Sequence, residues 1–154
     1  MSGAGKDAAS PQRLLTFEVG GAAYALPIAG VLEVAEVEAL ACVPTLPPGL
    51  AGVVNHHGDA LPVVDRARLL GLDAAELPEP RNLLVVCARP DGARLGVPVD
   101  RVLGLVDGPA ALRSGDGPVA ERRSIEGRLV NLVDPEWLVE RARQVIERVH
   151  AFVG

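Results

Sequence analysis

Short apolar runs separated by glycine and proline recur along the first half of the chain. Residues 14–19, LLTFEV, are followed by Gly20-Gly21 and a second apolar run at residues 22–26, a pattern that predicts a β-hairpin. Residues 28–34 favour a short helical turn that leads into a strand, and residues 37–43 continue as extended chain. This spacing predicts mainly β structure rather than a helical bundle.

Residues 52–71, GVVNHHGDALPVVDRARLLG, combine a strand, a polar turn, a second strand and a short helix. The turn at residues 55–58, NHHG, ends in a glycine, which readily adopts a left-handed backbone. Residues 60–64 contain Pro62, so we expect an edge strand or the start of a strand. Asp65 can cap the helix that follows. A loop held on a β scaffold is a common place for a binding site.

The second half repeats this alternation. Residues 81–89 include LLVVCA, which is typical of a buried strand, and residues 94–99 and 102–106 predict two further strands. Residues 107–124 are charged and rich in small residues, which indicates a loop. Residues 125–133 predict a hairpin partner.

A helix is predicted at residues 135–152. Asp134 is suited to the N-cap and Pro135 to the first helical position. One apolar stripe follows the helical period, at Leu138, Ala142, Val145, Val149 and Phe152. The pattern favours a helix lying on the core over one whose exposed end binds a partner helix.

An internal repeat relates the two halves. Residues 25–34, ALPIAGVLEV, match residues 96–105, GVPVDRVLGL, and residues 58–65 match residues 127–134 in the same chain order. The repeat predicts two similar β units, each closed by a helix.

Composition narrows the classes of function. The chain has 154 residues, of which 49% are hydrophobic and 3% aromatic, so its core must consist mainly of Val, Leu, Ala and Ile. The net charge of −5 argues against direct nucleic-acid binding. No apolar segment in residues 1–13 resembles a signal peptide, and these residues predict a disordered tail. Cys42 and Cys87 lie in apolar segments typical of reduced core thiols. We therefore expect a cytoplasmic protein without direct membrane insertion.

No enzyme motif is present. The sequence lacks a nucleophile-elbow pattern, a phosphate-binding loop in a strand–helix context and a dinucleotide-binding glycine pattern, and Lys6 is its only lysine. The pair His56-His57 raises the question of a metal ion. Adjacent residues on a strand point to opposite faces, so one ion would need a distorted strand or a turn geometry, and no third cluster of ligands lies nearby in the sequence. Solvated or hydrogen-bonded histidines are therefore favoured over a metal site, and no cofactor is predicted.

Four segments together resemble the CheW-like domain of bacterial chemotaxis coupling proteins. They are FEVGGAAYALPIAGVLEV at residues 17–34, the segment at residues 43–65, LGVPVDRVLGLVD at residues 95–107 and GRLVNLVDPEWL at residues 127–138. The resemblance implies two SH3-like five-stranded β-barrels with short helices and a C-terminal helix. It also implies a single domain at residues 14–152, made of halves at about 14–72 and 81–139.

The resemblance implies a non-enzymatic adaptor. Such proteins join the cytoplasmic tips of chemoreceptors to the regulatory domain of a CheA-type histidine kinase, and other CheW-like domains are further candidate partners. The turn that usually reads Asn-Leu-Arg-Gly is Asn-His-His-Gly here. Because a histidine does not offer the rigid donor fork of arginine, an alternative is a specialised adaptor that binds only receptor or only kinase. The candidate partner-binding residues are Val31, Glu33, Val54, Asn55, His56, His57, Gly58, Val99 and Asp100.

Overall fold

A computed structural model of the chain describes residues 12–36, 42–43, 50–87, 92, 94–108, 119–142 and 144. These residues form eleven strands: β1 (Gln12–Val19), β2 (Ala22–Pro27), β3 (Val31–Glu36), β4 (Cys42–Val43), β5 (Leu50–His56), β6 (Asp59–Val64), β7 (Asn82–Val86), β8 (Leu95–Val99), β9 (Arg101–Gly108), β10 (Val119–Ile125) and β11 (Arg128–Val133). The helices are α1 (Arg66–Leu70), α2 (residues 135–142) and two 3-10 turns, Ile28–Gly30 and Ala74–Glu76. None of the helices in these ranges has the length and apolar character needed to cross a bilayer.

The strands form two sheets that exchange hairpins between the halves of the chain. The first sheet has the order β10-β11-β2-β1-β9, and the second has the order β3-β7-β8-β6-β5-β4. A parallel pair lies inside each sheet, β11 with β2 in the first and β6 with β8 in the second. The hairpin β1–β2 thus completes the sheet of the second half, and β7–β8 completes the sheet of the first half.

The two halves share their irregularities as well as their strands. On β3, Leu32 is an additional residue between the paired Val31 and Glu33, and the register of β9 shifts in the same way between Val102 and Gly104. A β-bulge of this kind bends its strand and increases the local twist. The bulges therefore lie at positions that are equivalent in the sequence repeat, and both edge strands are bent there.

The core has three parts. The largest lies between the sheets and contains Leu26, Leu84 and Val99, and α2 packs against it through Leu138 and Ala142. A smaller cluster lies in each curl. The cluster of the first sheet is Leu14, Ala23, Ala25, Val130 and Leu132, and that of the second is Val54, Leu61, Val63, Leu83 and Val85. Full burial of one such leucine or valine stabilises the fold by about 1.5–3 kcal/mol. The predicted mainly-β fold with a shared apolar core is confirmed.

Both helix caps follow the sequence prediction. The carboxylate of Asp65 accepts a hydrogen bond from the backbone N–H of Ala67 at 2.9 Å, and that of Asp134 accepts one from Glu136 at 2.9 Å. Gly71 ends α1 with φ of 70°, in the left-handed region. The part of the predicted helix beyond residue 144 lies outside the described residues.

Two boundary predictions were wrong. β1 begins at Gln12, inside the predicted tail, because residues 12 and 13 pair with Gly108 and Asp107 of β9. β10 begins at Val119, inside the predicted loop, because its residues pair with β11. Residues 1–11, 37–41, 109–118 and 145–152 lie outside the described residues, and so do the predictions made for them.

The strand that contains Pro62 is not at an edge. β6 lies between β5 and β8, and its register with β8 joins Val63 to Gly96. A Cβ at Gly96 would lie 3.0 Å from the side chain of Val63, so the glycine allows this close approach. The parallel pairing of β6 with β8 involves a single residue pair, so the missing N–H of Pro62 does not interrupt a long series of hydrogen bonds.

Candidate functional site

The turn between β5 and β6 holds two histidines in a defined backbone. His57 and Gly58 have φ of 52° and 88°, the positive values at both central residues that a type I′ turn requires. The side chain of Asn55 closes the turn by accepting a hydrogen bond from the N–H of Gly58 at 2.9 Å. Because His57 lies on the turn rather than on the strand, its ring is free to lie on the same side as that of His56.

Glu33 brings these two side chains together. Its Oε1 accepts a hydrogen bond from Nε2 of His56 and another from Nε2 of His57, each at 2.8 Å. The ring centroids of the histidines are 4.3 Å apart. Both histidines are hydrogen-bonded, and their shared partner is a carboxylate 23 residues from His56 in the sequence.

This contact joins β3 to β5 of the second sheet, across a gap that we name the seam. β3 is one edge of its sheet, and three strands separate it from β5. Strands in a flat sheet are about 4.8 Å apart, so four spacings would place β3 about 19 Å from β5. The curl of the sheet removes that separation, and Glu33 joins the two strands across the gap.

The electrostatics of the cluster follow from its hydrogen bonds. The bond from His57, followed by the bond from His56, lowers the pKa of the Glu33 carboxyl below its usual value. His56 is buried, whereas the side chain of His57 is 71% exposed and that of Glu33 is 37% exposed. The cluster therefore presents one buried imidazole, one exposed imidazole and an ionised carboxylate at the surface.

The structure places some of the predicted site residues at this surface. Asn55, His57 and Gly58 are exposed, and Val31 and Glu33 of β3 are partly buried. Hydrogen bonds across the seam link Glu33 to His56 and His57, and within the turn Asn55 to Gly58, whereas Val31 packs against the main core.

Three other predicted residues lie in the interior. Val54 and Val99 are 3% and 0% exposed and belong to the core clusters. The carboxylate of Asp100 accepts a hydrogen bond from the N–H of Gly20 at 2.7 Å and lies 3.7 Å from the guanidinium of Arg66. These side chains have no surface with which to contact a partner, because packing and the buried ion pair enclose them.

The sequence reasoning did not single out three exposed apolar side chains near the cluster. Ile28, Leu32 and Val34 are 39%, 53% and 41% exposed. Leu32 and Val34 lie on β3, which is an edge strand. Apolar residues on both faces of a strand indicate burial on both sides, and here only one face meets the core of the chain. We name Ile28, Leu32 and Val34 the β3 apolar patch.

A model of the CheW-like domain family matches residues 13–143 of the chain. Among curated proteins, FrzA of Myxococcus xanthus is 36% identical over 100 residues, which cover 65% of this chain and 61% of FrzA. CheW of Thermotoga maritima is 31% identical over 100 residues, which cover 65% of this chain and 64% of that CheW. The chain thus spans less than two thirds of the length of these two relatives.

A solved structure has the same fold. The scaffolding protein TtCheW from Thermoanaerobacter tengcongensis superposes with a TM-score of 0.66 and covers 85% of this chain and 94% of its own. Its sequence is 20% identical, so the likeness concerns the arrangement of the strands.

Proposed function

This chain belongs to the CheW-like domain family, and on that premise we propose that it couples the cytoplasmic tips of chemoreceptors to the regulatory domain of a CheA-type histidine kinase. Proteins of the family are non-enzymatic chemotaxis scaffolds. The observation that carries the proposal is the family match over residues 13–143. The proposal places the protein in the cytoplasm, within receptor clusters, with other CheW-like domains as further candidate partners.

We place the partner-binding surface on the β3 apolar patch and the turn beside it. Apolar side chains that remain 39–53% exposed, on an edge strand and on the 3-10 turn just before it, lose contact with water when a partner covers them, and this burial favours association. The patch therefore supports a protein partner rather than a small molecule.

The polar side chains beside the patch support specificity. Glu33 and His57 lie at the surface on its border, and Asn55 is exposed next to them. An apolar centre with a polar rim is the usual anatomy of a protein interface. The predicted site residues Val31, Glu33, Asn55, His56, His57 and Gly58 belong to this surface under the proposal.

The restricted alternative, an adaptor that binds only receptor or only kinase, is not favoured. The family match covers both halves of the chain. The alternative rests on the two histidines of the turn, and His56 is occupied in the seam by its bond to Glu33.

Reconstitution tests the proposal. We expect the purified chain to bind a soluble receptor signalling tip and a kinase regulatory domain, each measured alone by titration calorimetry, and to increase their co-sedimentation when all three are mixed. The variant Leu32→Glu should weaken at least one of these contacts by about tenfold or more, because a charge would have to be buried at the centre of the interface.

Leu129→Glu is the matched control, since Leu129 is a 60% exposed leucine on β11 away from the patch. It should leave the contact made by Leu32 unchanged. Absence of binding to both partners would refute the adaptor function. Equal effects of the two substitutions would show that the interface does not lie on β3.

A further inference from the structure

We propose that Glu33, His56 and His57 form a binding site for a first-row transition-metal dication, for which Zn²⁺ is the representative ion. This site goes beyond the adaptor function, because it requires neither receptor nor kinase.

The geometry of the three side chains is close to that of a metal site. One ligand atom from each of them lies within 4.8 Å of the others. In a tetrahedral site with bonds of about 2.0–2.1 Å, neighbouring ligand atoms are about 3.3 Å apart. The two N···O distances of 2.8 Å need to lengthen only slightly. Rotation of the partly exposed Glu33 and His57 side chains can supply that change without moving the backbone.

The donor set selects the class of ion. Two imidazole nitrogens and one carboxylate oxygen suit Zn²⁺ and its neighbours, whereas Mg²⁺ and Ca²⁺ prefer ligand sets made of oxygen. Three protein ligands leave a further coordination position for water or for a side chain of a partner. Since His57 is 71% exposed, that position is open to solvent.

The fold holds the ligands before any ion arrives. His56 is buried on β5 of the second sheet, His57 is held by the left-handed turn, and Glu33 follows the bulge of β3. A bound ion would join β3 to β5 across the seam, so it should raise the thermal stability of the chain as well as occupy the site.

One feature limits the affinity. Nδ1 of His56 is buried without a hydrogen-bond partner among the described residues. A metal on Nε2 places the ring proton on Nδ1, where metal-binding histidines usually have an acceptor, and loss of such a partner weakens binding by about 10–100-fold. We therefore expect micromolar rather than nanomolar affinity.

Zinc titration tests the site. The full chain without an affinity tag, treated with a chelator and dialysed, should bind ZnCl₂ at a ratio of one to one in titration calorimetry, and its melting temperature should rise with zinc. MgCl₂ should produce neither effect. Co²⁺ should give the visible absorption bands of a low-coordinate site containing nitrogen ligands.

Two substitutions remove a ligand from the surface side of the cluster. Glu33→Gln and His57→Gln should each weaken zinc binding by about tenfold or more, since each removes one of three ligands. Glu36→Gln, on the same strand, and His150→Gln are the matched controls and should bind zinc as the parent chain does. His57 is 71% exposed, so His57→Gln carries the test even if a variant at the buried His56 fails to fold.

Each outcome decides the proposal. Saturable one-to-one binding that both ligand variants weaken and both controls retain supports it. No saturable binding, or equal losses in Glu33→Gln and Glu36→Gln, overturns it. Because the assay contains zinc alone, its failure leaves the adaptor proposal unaffected.

Discussion

The turn after β5 and the turn after β10 have the same backbone: φ is 52° at both His57 and Glu126, and 88° and 79° at the glycines that follow, Gly58 and Gly127. Each turn region is also tied to a glutamate on another strand. The first is tied to Glu33 through two histidines, and the second is tied to Glu18 through Arg128, which donates a hydrogen bond at 2.9 Å. The scaffold is therefore repeated, but the chemistry attached to it is not.

The two glutamates differ in what their partners can do. Glu18 accepts hydrogen bonds from Arg128 and Arg101, and these bonds lower its pKa. A guanidinium remains charged at any physiological pH and does not ligate metals, so this cluster can only hold strands together. An imidazole nitrogen that has lost its proton can bind a metal ion, and it can also accept a hydrogen bond from a partner. Only the turn of the first half carries groups of this kind.

The second half also has no equivalent of Glu33 or His56. The repeat places Gly104 opposite Glu33, and Ile125 opposite His56. Ile125 packs against the apolar cluster of the first sheet together with Leu103. The equivalent position is thus apolar in the first sheet and polar in the second. This difference identifies the polar seam of the second sheet as the specialised one.

The largest expected effect lies at Asp100, which is buried although the residue that the repeat aligns with it, Ala29, is exposed. Asp100 stands opposite Ala29 in the repeat, and its side chain is 8% exposed beside that of Arg66, which is 10% exposed. Asp100→Ala leaves a buried guanidinium without its counter-charge, so the free energy of unfolding should fall by about 3 kcal/mol in urea denaturation.

The control for Asp100 is an ion pair at the surface. Asp107 and Arg13 are 75% and 60% exposed, and Asp107→Ala should reduce the free energy of unfolding by less than about 1 kcal/mol. Equal losses from the two substitutions would mean that the buried pair contributes no more than the exposed one.

A smaller effect should be shared by both turns. A Cβ added at Gly58 or Gly127 meets no atom within 4 Å, so Gly58→Ala and Gly127→Ala act only through the left-handed backbone. Each should lower the free energy of unfolding by about 1 kcal/mol. Urea denaturation of both variants checks this, and clearly unequal losses would contradict the claim that the turns are equivalent scaffolds.

The smallest effect concerns the dependence of stability on pH. The folded-state pKa of Glu18 is lowered from 4.5 by Arg128 first and Arg101 second. A carboxyl of this kind adds stability that is fully present above its unfolded pKa and is lost as pH falls through the folded value. The difference in unfolding free energy between the parent chain and Glu18→Gln should therefore be constant near neutral pH and shrink below pH 4.5.

Urea denaturation at several pH values measures this difference. Glu126→Gln removes a carboxylate from the same surface without touching either arginine, and it serves as the control. A difference for Glu18→Gln that stays constant into acid would contradict the assignment of its stabilising partners.

Much of the fold was predictable because its signals are local. Asp65 and Asp134 were expected to cap helices, and both do, since a cap depends on a carboxylate and an N–H two residues later. Strand alternation and turn glycines likewise act over a few residues. The position of Pro62 was predicted wrongly, because the neighbour of β6 on its second side comes from β8, more than thirty residues later.

The candidate site was predictable in part. The turn was identified because it departs from the repeat, and Glu33 was identified through the resemblance to the family. Their contact was not predicted, since it depends on the curl of a sheet that brings β3 to β5. The β3 apolar patch was missed because an apolar run looks the same whether one or both of its faces are covered.

By itself, the sequence determined the strands, the turns, the helix caps and the repeat of the two halves, because each depends on residues close together in the chain. Only the tertiary structure decided that the halves exchange hairpins, that Asp100 is buried against Arg66, and that Glu33 meets His56 and His57. These contacts join segments far apart in sequence, and the closure of two curled sheets selects them.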